Sequence, residues 1–373
     1  MVLFFGLATT AMAYSIRDDA TGGDCTQIGV WDAGTKTCTL ATNLYNSTEG
    51  FTIDSDGITF DGNGHTITGG LYTPWGPGGV GVSLYYRTGV TIKNLNVVGF
   101  AYGIHLDHSN GNRLSNNTAQ EFYSGIMLIF SNNNTVIRNT ISGEKGICIA
   151  WWSLNNTIAD NVLSGYVGIA LEMFASGNIL TGNTISGAIG VAIRESANAN
   201  TIYNNNFLNS EWGILCLLEG ANIFNLDMPV GGNYWNNYDT PEEGCNDANN
   251  DGFCDAPYFG WNPDLGFRAD NADYLPWAKQ DGWLTPEKMI DNVIAQINML
   301  LGSASIREGT ATSLNSTLNQ ASAQLEKGNI QATAQLLEAF IKQVQGQVNG
   351  GRISIDAAED LIAATQQAIN KLQ

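Results

Sequence analysis

The residues with the most suggestive chemical spacing lie between positions 247 and 258. Oxygen-bearing side chains alternate there around a glycine, at positions 1, 3, 5, 6 and 9 of a calcium-binding loop: Asp247, Asn249, Asp251, Gly252 and Asp255. Ca²⁺ prefers such hard oxygen ligands, and the glycine permits the sharp turn. We add the backbone carbonyl of Phe253 as a ligand, whereas position 12 holds Tyr258 instead of the usual glutamate. Runs of Asp, Asn and Gly also form ordinary turns, and a melting temperature that ignores Ca²⁺ and chelator would favour the turn.

A second group of residues could bind a ligand through flat rings. Aromatic side chains recur at intervals of about 22 residues, or twice that, in the middle of the chain. We expect them to form an outward strip: Tyr85, Tyr86, Phe130, Trp151, Trp152 and Phe174. Exposed apolar patches mark binding surfaces, and aromatic rings suit the faces of sugars. The sequence therefore predicts a polysaccharide or an envelope glycan as the partner. The alternative is that the C-terminal helices or a protein partner cover the strip.

Catalysis would require acids on the same face. A glycoside hydrolase needs two carboxylates about 5 to 9.5 Å apart, and Glu172 and Glu195 are the plausible pair, at roughly 6 Å between Cα atoms. Arg194 is equally close to Glu172 and would neutralise it. A polysaccharide lyase would need more acids than this face offers. We therefore expect binding rather than hydrolysis or lysis.

Three soft donors occupy one outward column in consecutive repeats, about 4.8 Å apart. They are His105, Met127 and Cys148, whose imidazole, thioether and thiol groups suit Cu(I). Met127 and Cys148 also belong to the apolar strip, and this is the interpretation that we favour over a copper site.

A repeat of about 22 residues must position all of these side chains. Each repeat begins with Gly followed by Val or Ile, at Gly81, Gly103, Gly125, Gly146, Gly168, Gly190 and Gly213. Two asparagine columns keep the same interval, one from Asn112 to Asn222 and one from Asn117 to Asn205. A fixed period of this length indicates a solenoid. Three short runs of alternating apolar residues per repeat leave no room for a helix, so the sequence predicts an all-β, right-handed parallel β-helix whose asparagines stack as structural ladders.

Composition and cysteines indicate export. The 373 residues carry a formal net charge of −19, which would repel nucleic acid and anionic lipid. Residues 1–13 resemble the end of a signal peptide with an Ala-x-Ala cleavage site, and no later run is long and apolar enough to span a membrane. We expect two short-range disulfides, Cys25–Cys38 and Cys245–Cys254, and free thiols at Cys148 and Cys216. The protein is therefore predicted to be secreted, extracellular or on the cell surface, or periplasmic in a cell with two membranes.

Several stretches, some of them within the repeats, carry a resemblance to a known family. Asp24-Cys25-Thr26 to Trp31, the run from Asp56 to His65 and the repeated Asn-Thr-Ile-Ser-Gly motif resemble secreted β-helix proteins of the NosD-like, carbohydrate-binding and sugar-hydrolase (PbH1 repeat) group. The segment from Gly232 to Trp277 is similar to the end of NosD-like β-helices. This resemblance covers roughly residues 24–280. It implies the fold, leaves the activity open because the group mixes enzymes with binding proteins, and raises the copper-handling alternative.

The last ninety residues change to helical spacing. Thr285-Pro286 begins the first of about four amphipathic helices, and the segment from Leu325 to Val344 resembles the FIMAH-type module of secreted proteins. We expect a small all-α bundle that acts as a spacer or binds a protein partner. The predicted domains are a signal remnant (1–13), a cap and first coil (14–70), the β-helix (71–230), a lid (231–283) and the bundle (284–373).

Overall fold

The structure is a computed structural model. It describes residues 14–45, 50–70, 79–120, 123–217, 221–262, 266–302 and 305–372. The predicted signal remnant at 1–13 lies outside these residues. The chain divides into two compact units after Gly282. The first unit is a parallel β-solenoid with a coil of about 22 residues and the second is helical, which confirms the predicted fold class.

Two sheets run along the solenoid. The larger one holds the strand that follows each repeat glycine, at Val80–Tyr85, Tyr102–Asp107, Ser124–Ile129, Thr140–Ala150, Val162–Leu171, Thr184–Arg194 and Trp212–Leu217. It also holds the third strand of the coils and the end segments, at Tyr14–Ile16, Leu44–Tyr45, Phe51–Ile53, Thr66–Thr68, Asn96–Val98, Thr118–Gln120, Asn206–Leu208, Tyr234–Trp235, Tyr258–Asn262 and Gly266–Asp273. The second sheet holds Gly29–Asp32, Thr37–Leu40, Thr59–Asp61, Thr91–Lys93, Arg113–Ser115, Thr135–Ile137, Thr157–Ala159, Ile179–Thr181 and Thr201–Tyr203.

Alternation within each strand builds the core. Ile104 pairs in register with Ile126, and Leu106 with Leu128, so identical positions of successive coils stack. These four side chains are fully buried, since every second residue of a strand points to the same side. The repeat glycine makes room for this core. At Gly168, for example, an added Cβ would lie 2.1 Å from Ile185 Cγ2.

The coils are of two kinds, which differ by one residue in the connection between the second asparagine and the next repeat glycine. Gly125 follows Asn117 by eight positions, whereas Gly146 follows Asn139 by only seven. The shorter connection leaves no room for a corner, so the third strand runs on without a break into the next first strand, as in Thr140–Ala150. The residue removed there is added at the following corner, which then has two residues with positive φ, such as Trp151 and Trp152, instead of one. The total of 22 residues is thereby kept.

Two buried asparagine ladders run along the solenoid, one from Asn112 to Asn222 and one from Asn117 to Asn233. In the second ladder, Asn161 donates from Nδ2 to Asn183 Oδ1 (2.9 Å) and to the Val136 carbonyl (3.0 Å). Its Oδ1 accepts from the backbone N and from Nδ2 of Asn139. The same four contacts recur from coil to coil, which confirms that the asparagines are structural. Each ladder satisfies the buried polar groups of one corner of the coil, so two corners are served in all.

Both ends of the solenoid are closed by other segments. At the N-terminal end a short helix (Cys25–Ile28) and an antiparallel hairpin are joined by the predicted Cys25–Cys38 disulfide. At the other end Trp235 is fully buried and stacks on Phe207 at 4.2 Å between ring centroids. The predicted Cys245–Cys254 disulfide is also present. Cys148 is free and buried, whereas the side chain of Cys216 lies outside the described residues.

The second unit contains four long helices, Pro286–Gly302, Glu308–Leu325, Ile330–Asn349 and Ile355–Lys371. Their apolar faces form one core that includes Ile290, Leu314, Leu337 and Phe340. Two of the predicted helix starts are capped: Thr285 Oγ1 accepts from Lys288 N, and Ser354 Oγ accepts from Ala357 N, both at 3.3 Å. Within the described residues, no helix is both long and apolar enough to cross a membrane.

Candidate functional site

On the outer surface of the larger sheet, equivalent residues of successive coils lie next to each other in columns, and neighbouring columns pack into a shallow face. The central column contains His105, Met127 and Cys148, which are neighbours in register on adjacent strands. Cys148, Ala170 and Ala192 are almost completely buried and pack with Val167 and Ile189 of the flanking column. The centre of the predicted outward strip is therefore closed by its own side chains, and the accessible aromatic groups lie at the corner beside it.

Five rings at this corner stack on each other as a continuous row. We call Tyr86, His108, Phe130, Trp152 and Phe174 the ring row. Successive ring centroids are 4.6, 4.6, 6.0 and 4.8 Å apart, with angles of 27, 28, 13 and 9° between the ring planes. The row spans about 19 Å, since it covers four intervals of the strand spacing of about 4.8 Å. Four of these residues belong to the strip predicted from the sequence; His108 was not among the predicted binding residues, although it follows Tyr86 and precedes Phe130 by 22 positions.

The backbone beneath the ring row has an unfavourable conformation for these residues. All five have φ between 48° and 66°, the left-handed region in which bulky side chains are rare and cost about 1–2 kcal/mol each. Asn116 and Asn155 occupy left-handed positions at other corners of the coil, where asparagine adopts this conformation at low cost. Aromatic residues at this one corner thus oppose the local backbone preference. Such conflicts cluster at functional sites.

Stacking changes what the strip can offer a ligand. A ring inside the row has its two faces against its neighbours, so mainly its edge points to solvent. Tyr85 and Trp151 lie outside the row: Tyr85 is at 81° to Tyr86, and Trp151 is at 48° to Trp152. They are 54% and 41% exposed. Of the six predicted binding residues, these two have no parallel stack on either ring face within the described part of the chain, whereas Tyr86 and Phe174 end the row and are stacked on one face only.

Glu172 is engaged in an ion pair that sequence analysis missed. Its carboxylate accepts from Lys145 Nζ at 2.8 and 2.9 Å, and Arg194 Nη1 lies 3.7 Å away. Glu172 is only 9% exposed, whereas Glu195 lies on the corner and is exposed. The pair of Glu172 with Glu195 as catalytic carboxylates stays a prediction, and the two cations beside Glu172 oppose it. Lys145 could not be recognised from sequence because its contact depends on the uninterrupted strand Thr140–Ala150.

The soft donors of the central column differ in their surroundings. Burial raises the pKa of the Cys148 thiol to about 12, and Glu172 Oε2 lies 3.8 Å from its Sγ. Burial lowers the pKa of His105 below its usual range, so this ring is neutral at physiological pH. His105 stacks on Tyr102 at 5.8 Å between ring centroids. Its Nε2 is buried and has no hydrogen-bond partner among the described residues.

The predicted calcium loop folds through its own hydrogen bonds. Asp247 accepts from the backbone N of Asp251 (3.0 Å) and of Gly252 (3.1 Å). Asp251 accepts from Phe253 N at 3.0 Å, and Asp255 accepts from Ala248 N at 3.1 Å. In the described part of the chain, no three His, Cys, Asp or Glu side chains are grouped so that they could hold a metal ion. Calcium binding by Asp247, Asn249, Asp251, Asp255 and the Phe253 carbonyl stays a prediction.

Comparison with known proteins agrees with this architecture. A family model described as periplasmic copper-binding protein (NosD) matches residues 42–240, more than half of the 373 residues. A second model, described as the FIMAH domain, matches residues 290–370 in the helical unit. No curated protein matches the chain significantly.

Proposed function

The chain belongs to the NosD family of periplasmic β-helix proteins, and we propose that it binds a polysaccharide or an envelope glycan outside the cytoplasm. The two disulfides support this location because such bonds persist in oxidising compartments. The solenoid provides a rigid face of fixed spacing, and the corner strip provides exposed rings on that face.

The main support for this proposal is the backbone conformation of the ring row. Five bulky residues adopt positive φ at one corner, although asparagine would form the same corner at lower cost. Their stacking fixes the rings with little freedom left to lose on binding. The row then acts as an apolar ledge, and the exposed faces of Tyr85 and Trp151 beside it are suited to contact sugar rings.

Replacing Trp151 by Ala should weaken glycan binding at least tenfold. Trp151 has an exposed ring that is outside the row, and removing a central aromatic residue from a binding surface typically costs 2 kcal/mol or more, where about 1.4 kcal/mol corresponds to a factor of ten. Affinity electrophoresis in gels that contain cell-wall polysaccharides measures the change. Tyr85→Ala should act in the same direction.

Tyr166→Ala is the matched control, since Tyr166 is an exposed aromatic residue of the same solenoid, at 57% against 54% for Tyr85 and 41% for Trp151, but lies outside the strip. It should leave the mobility unchanged. If no polysaccharide retards the wild-type protein, or if Trp151→Ala and Tyr166→Ala behave alike, the strip does not bind glycans.

Copper handling is a second candidate because the orphaned Nε2 of His105 favours it. Together with the thioether of Met127 and the thiol of Cys148, this nitrogen completes a set of donors that suits Cu(I) in type. These three residues would hold the ion. A bound ion would give the buried nitrogen the partner that it lacks among the described residues.

Titration of the reduced protein with Cu(I) tests this candidate. We expect a single site of micromolar or tighter affinity that is lost in His105→Phe, which keeps a flat ring against Tyr102. Met127→Leu should weaken the site while preserving the packing. His65→Phe is the control, because His65 lies in the N-terminal cap. Binding that is weaker than micromolar, or that survives both changes at the central column, rules out copper at this column.

A further inference from the structure

A half-enclosed cavity of about 640 Å³ lies at the last coil of the solenoid, away from the ring row. Its wall is formed by the start of the strand Trp212–Leu217 and by the lid segments around Tyr238 and Tyr258. The size is within the range of small-molecule sites, about 300–1,000 Å³. Neither the strip nor the central column contributes to it.

Four aromatic rings line this cavity: Trp212, Tyr238, Tyr258 and Phe259. The rings of Tyr238 and Tyr258 are 5.5 Å apart and meet at 66°, so they form two walls of a box. Tyr258 is fixed from behind by a parallel stack on Trp235 at 4.4 Å. Trp212 and Phe259 are about one-third exposed and lie at the opening.

The charged side chains among the described lining residues of the cavity are all acidic. Glu211 and Glu243 line it, and no Lys, Arg or His is among its described lining residues. Hydrogen bonds from the backbone N of Asp239 (3.1 Å) and the hydroxyl of Thr240 (3.0 Å) lower the pKa of Glu243, which is therefore charged at neutral pH. The side-chain donors are largely engaged, since Asn237 Nδ2 donates to Tyr258 and the Tyr238 hydroxyl donates to the Ala256 carbonyl.

The disulfide holds the two lid walls together. Tyr238 and Glu243 precede Cys245, and Tyr258 follows Cys254, so the Cys245–Cys254 bond closes the loop between them. A site whose walls are fixed before binding avoids part of the entropic cost of ordering them.

We propose that this cavity binds a small organic cation, such as a quaternary ammonium group. Aromatic faces attract a cation through the ring quadrupole, and Trp and Tyr do so best. Two carboxylates at the rim supply the complementary charge. A neutral sugar would instead favour free hydrogen-bond donors, whereas the Asn237 amide and the Tyr238 hydroxyl already donate to protein partners.

Choline chloride is the probe, and its neutral isostere, in which carbon replaces the charged nitrogen, is the matched ligand. Isothermal titration calorimetry with the full chain should detect choline binding and at least tenfold weaker binding of the isostere. The difference isolates the charge, because the two ligands have the same shape. High salt should weaken the binding of choline and leave that of the isostere unchanged.

Two variants separate the rings from the charge. Trp212→Ala should weaken choline binding about tenfold, and Trp212→Phe should restore part of it, since Phe keeps a face of weaker quadrupole. Glu243→Gln should reduce the preference for choline over the isostere. Tyr166→Ala should change neither quantity.

Three outcomes would overturn the proposal. They are equal affinity for choline and its isostere, no heat with either ligand at high millimolar concentration, and a neutral oligosaccharide that binds more tightly than choline in a manner sensitive to Trp212→Ala. Because this cavity shares no residue with the strip, failure here leaves the glycan proposal untouched, and the reverse also holds.

Discussion

Asn161→Asp should unfold the solenoid under conditions in which the wild-type protein is stable. The substitution keeps the shape and replaces the Nδ2 donor by an oxygen, which then faces Asn183 Oδ1 and the Val136 carbonyl at about the former hydrogen-bond distances. Asn161 is fully buried. A buried group that loses its partners costs about 1–3 kcal/mol, and more when it is charged. Two lost bonds and an uncompensated acid therefore predict about 4 kcal/mol or more, a large part of the stability of a typical domain.

Chemical denaturation followed by circular dichroism measures this effect. Asn155→Asp is the matched control, because Asn155 lies in the same coil and is exposed, and Asp also tolerates its left-handed conformation. It should unfold at nearly the wild-type denaturant concentration. If both variants unfold together, the amide donors of the ladder contribute little to stability.

Asp273→Asn should remove a large pH dependence of stability. Asp273 is completely buried and ends the second ladder, since its Oδ2 accepts from the backbone N of Asn233 (2.6 Å), from Asn233 Nδ2 (3.3 Å) and from Trp235 Nε1 (2.9 Å). Burial outweighs these donors and raises the pKa of Asp273 from 3.8 to about 7. An acid whose pKa is higher in the folded state binds its proton more tightly when folded. The free energy of unfolding therefore falls as pH rises from about 4 to 7, by about 4 kcal/mol for this shift.

The difference between the two proteins isolates this carboxyl group from the other acids. Denaturation midpoints of the wild type and of Asp273→Asn, measured between pH 4 and 8, should diverge in slope, with the wild type losing more stability toward neutral pH. Asp281→Asn, at a half-buried position of the lid, is the control for the change in net charge. Parallel curves for wild type and Asp273→Asn would show that Asp273 keeps an ordinary pKa.

Periodicity made the solenoid predictable. Val82, Ile104 and Ile126 recur with a glycine before them, and this local pattern determines which side of the strand is buried. The asparagine ladders followed from the same interval, and both disulfides followed from short separations between cysteines. The four helices followed from helical spacing and from the caps at Thr285 and Ser354. In each case the information lies within one repeat or one segment.

What sequence could not supply depends on contacts between segments that share no pattern. The ion pair of Lys145 with Glu172 needs an unbroken strand, and this results from the loss of one residue before Gly146. The stacking that turns the faces of the ring row toward each other depends on the φ values of the corner. The cavity at Trp212 joins the last coil to a lid that breaks the repeat. The lid also ends the ladders, through Asn271 and Asp273.

The asparagine ladders also give the solenoid a direction. Every side-chain amide in a ladder points its Nδ2 toward the next coil and its Oδ1 toward the previous one. The amide dipoles are therefore aligned head to tail, and each polarises its neighbours. The positive end of the row lies at the lid, where the oxygens of Asp273 meet it. At the opposite end, the first acceptor oxygens, Asn112 Oδ1 and Asn117 Oδ1, accept from the backbone N of Val90 and Leu95 in the preceding coil, so each ladder begins on a backbone donor and the two ends of each ladder are electrically unlike.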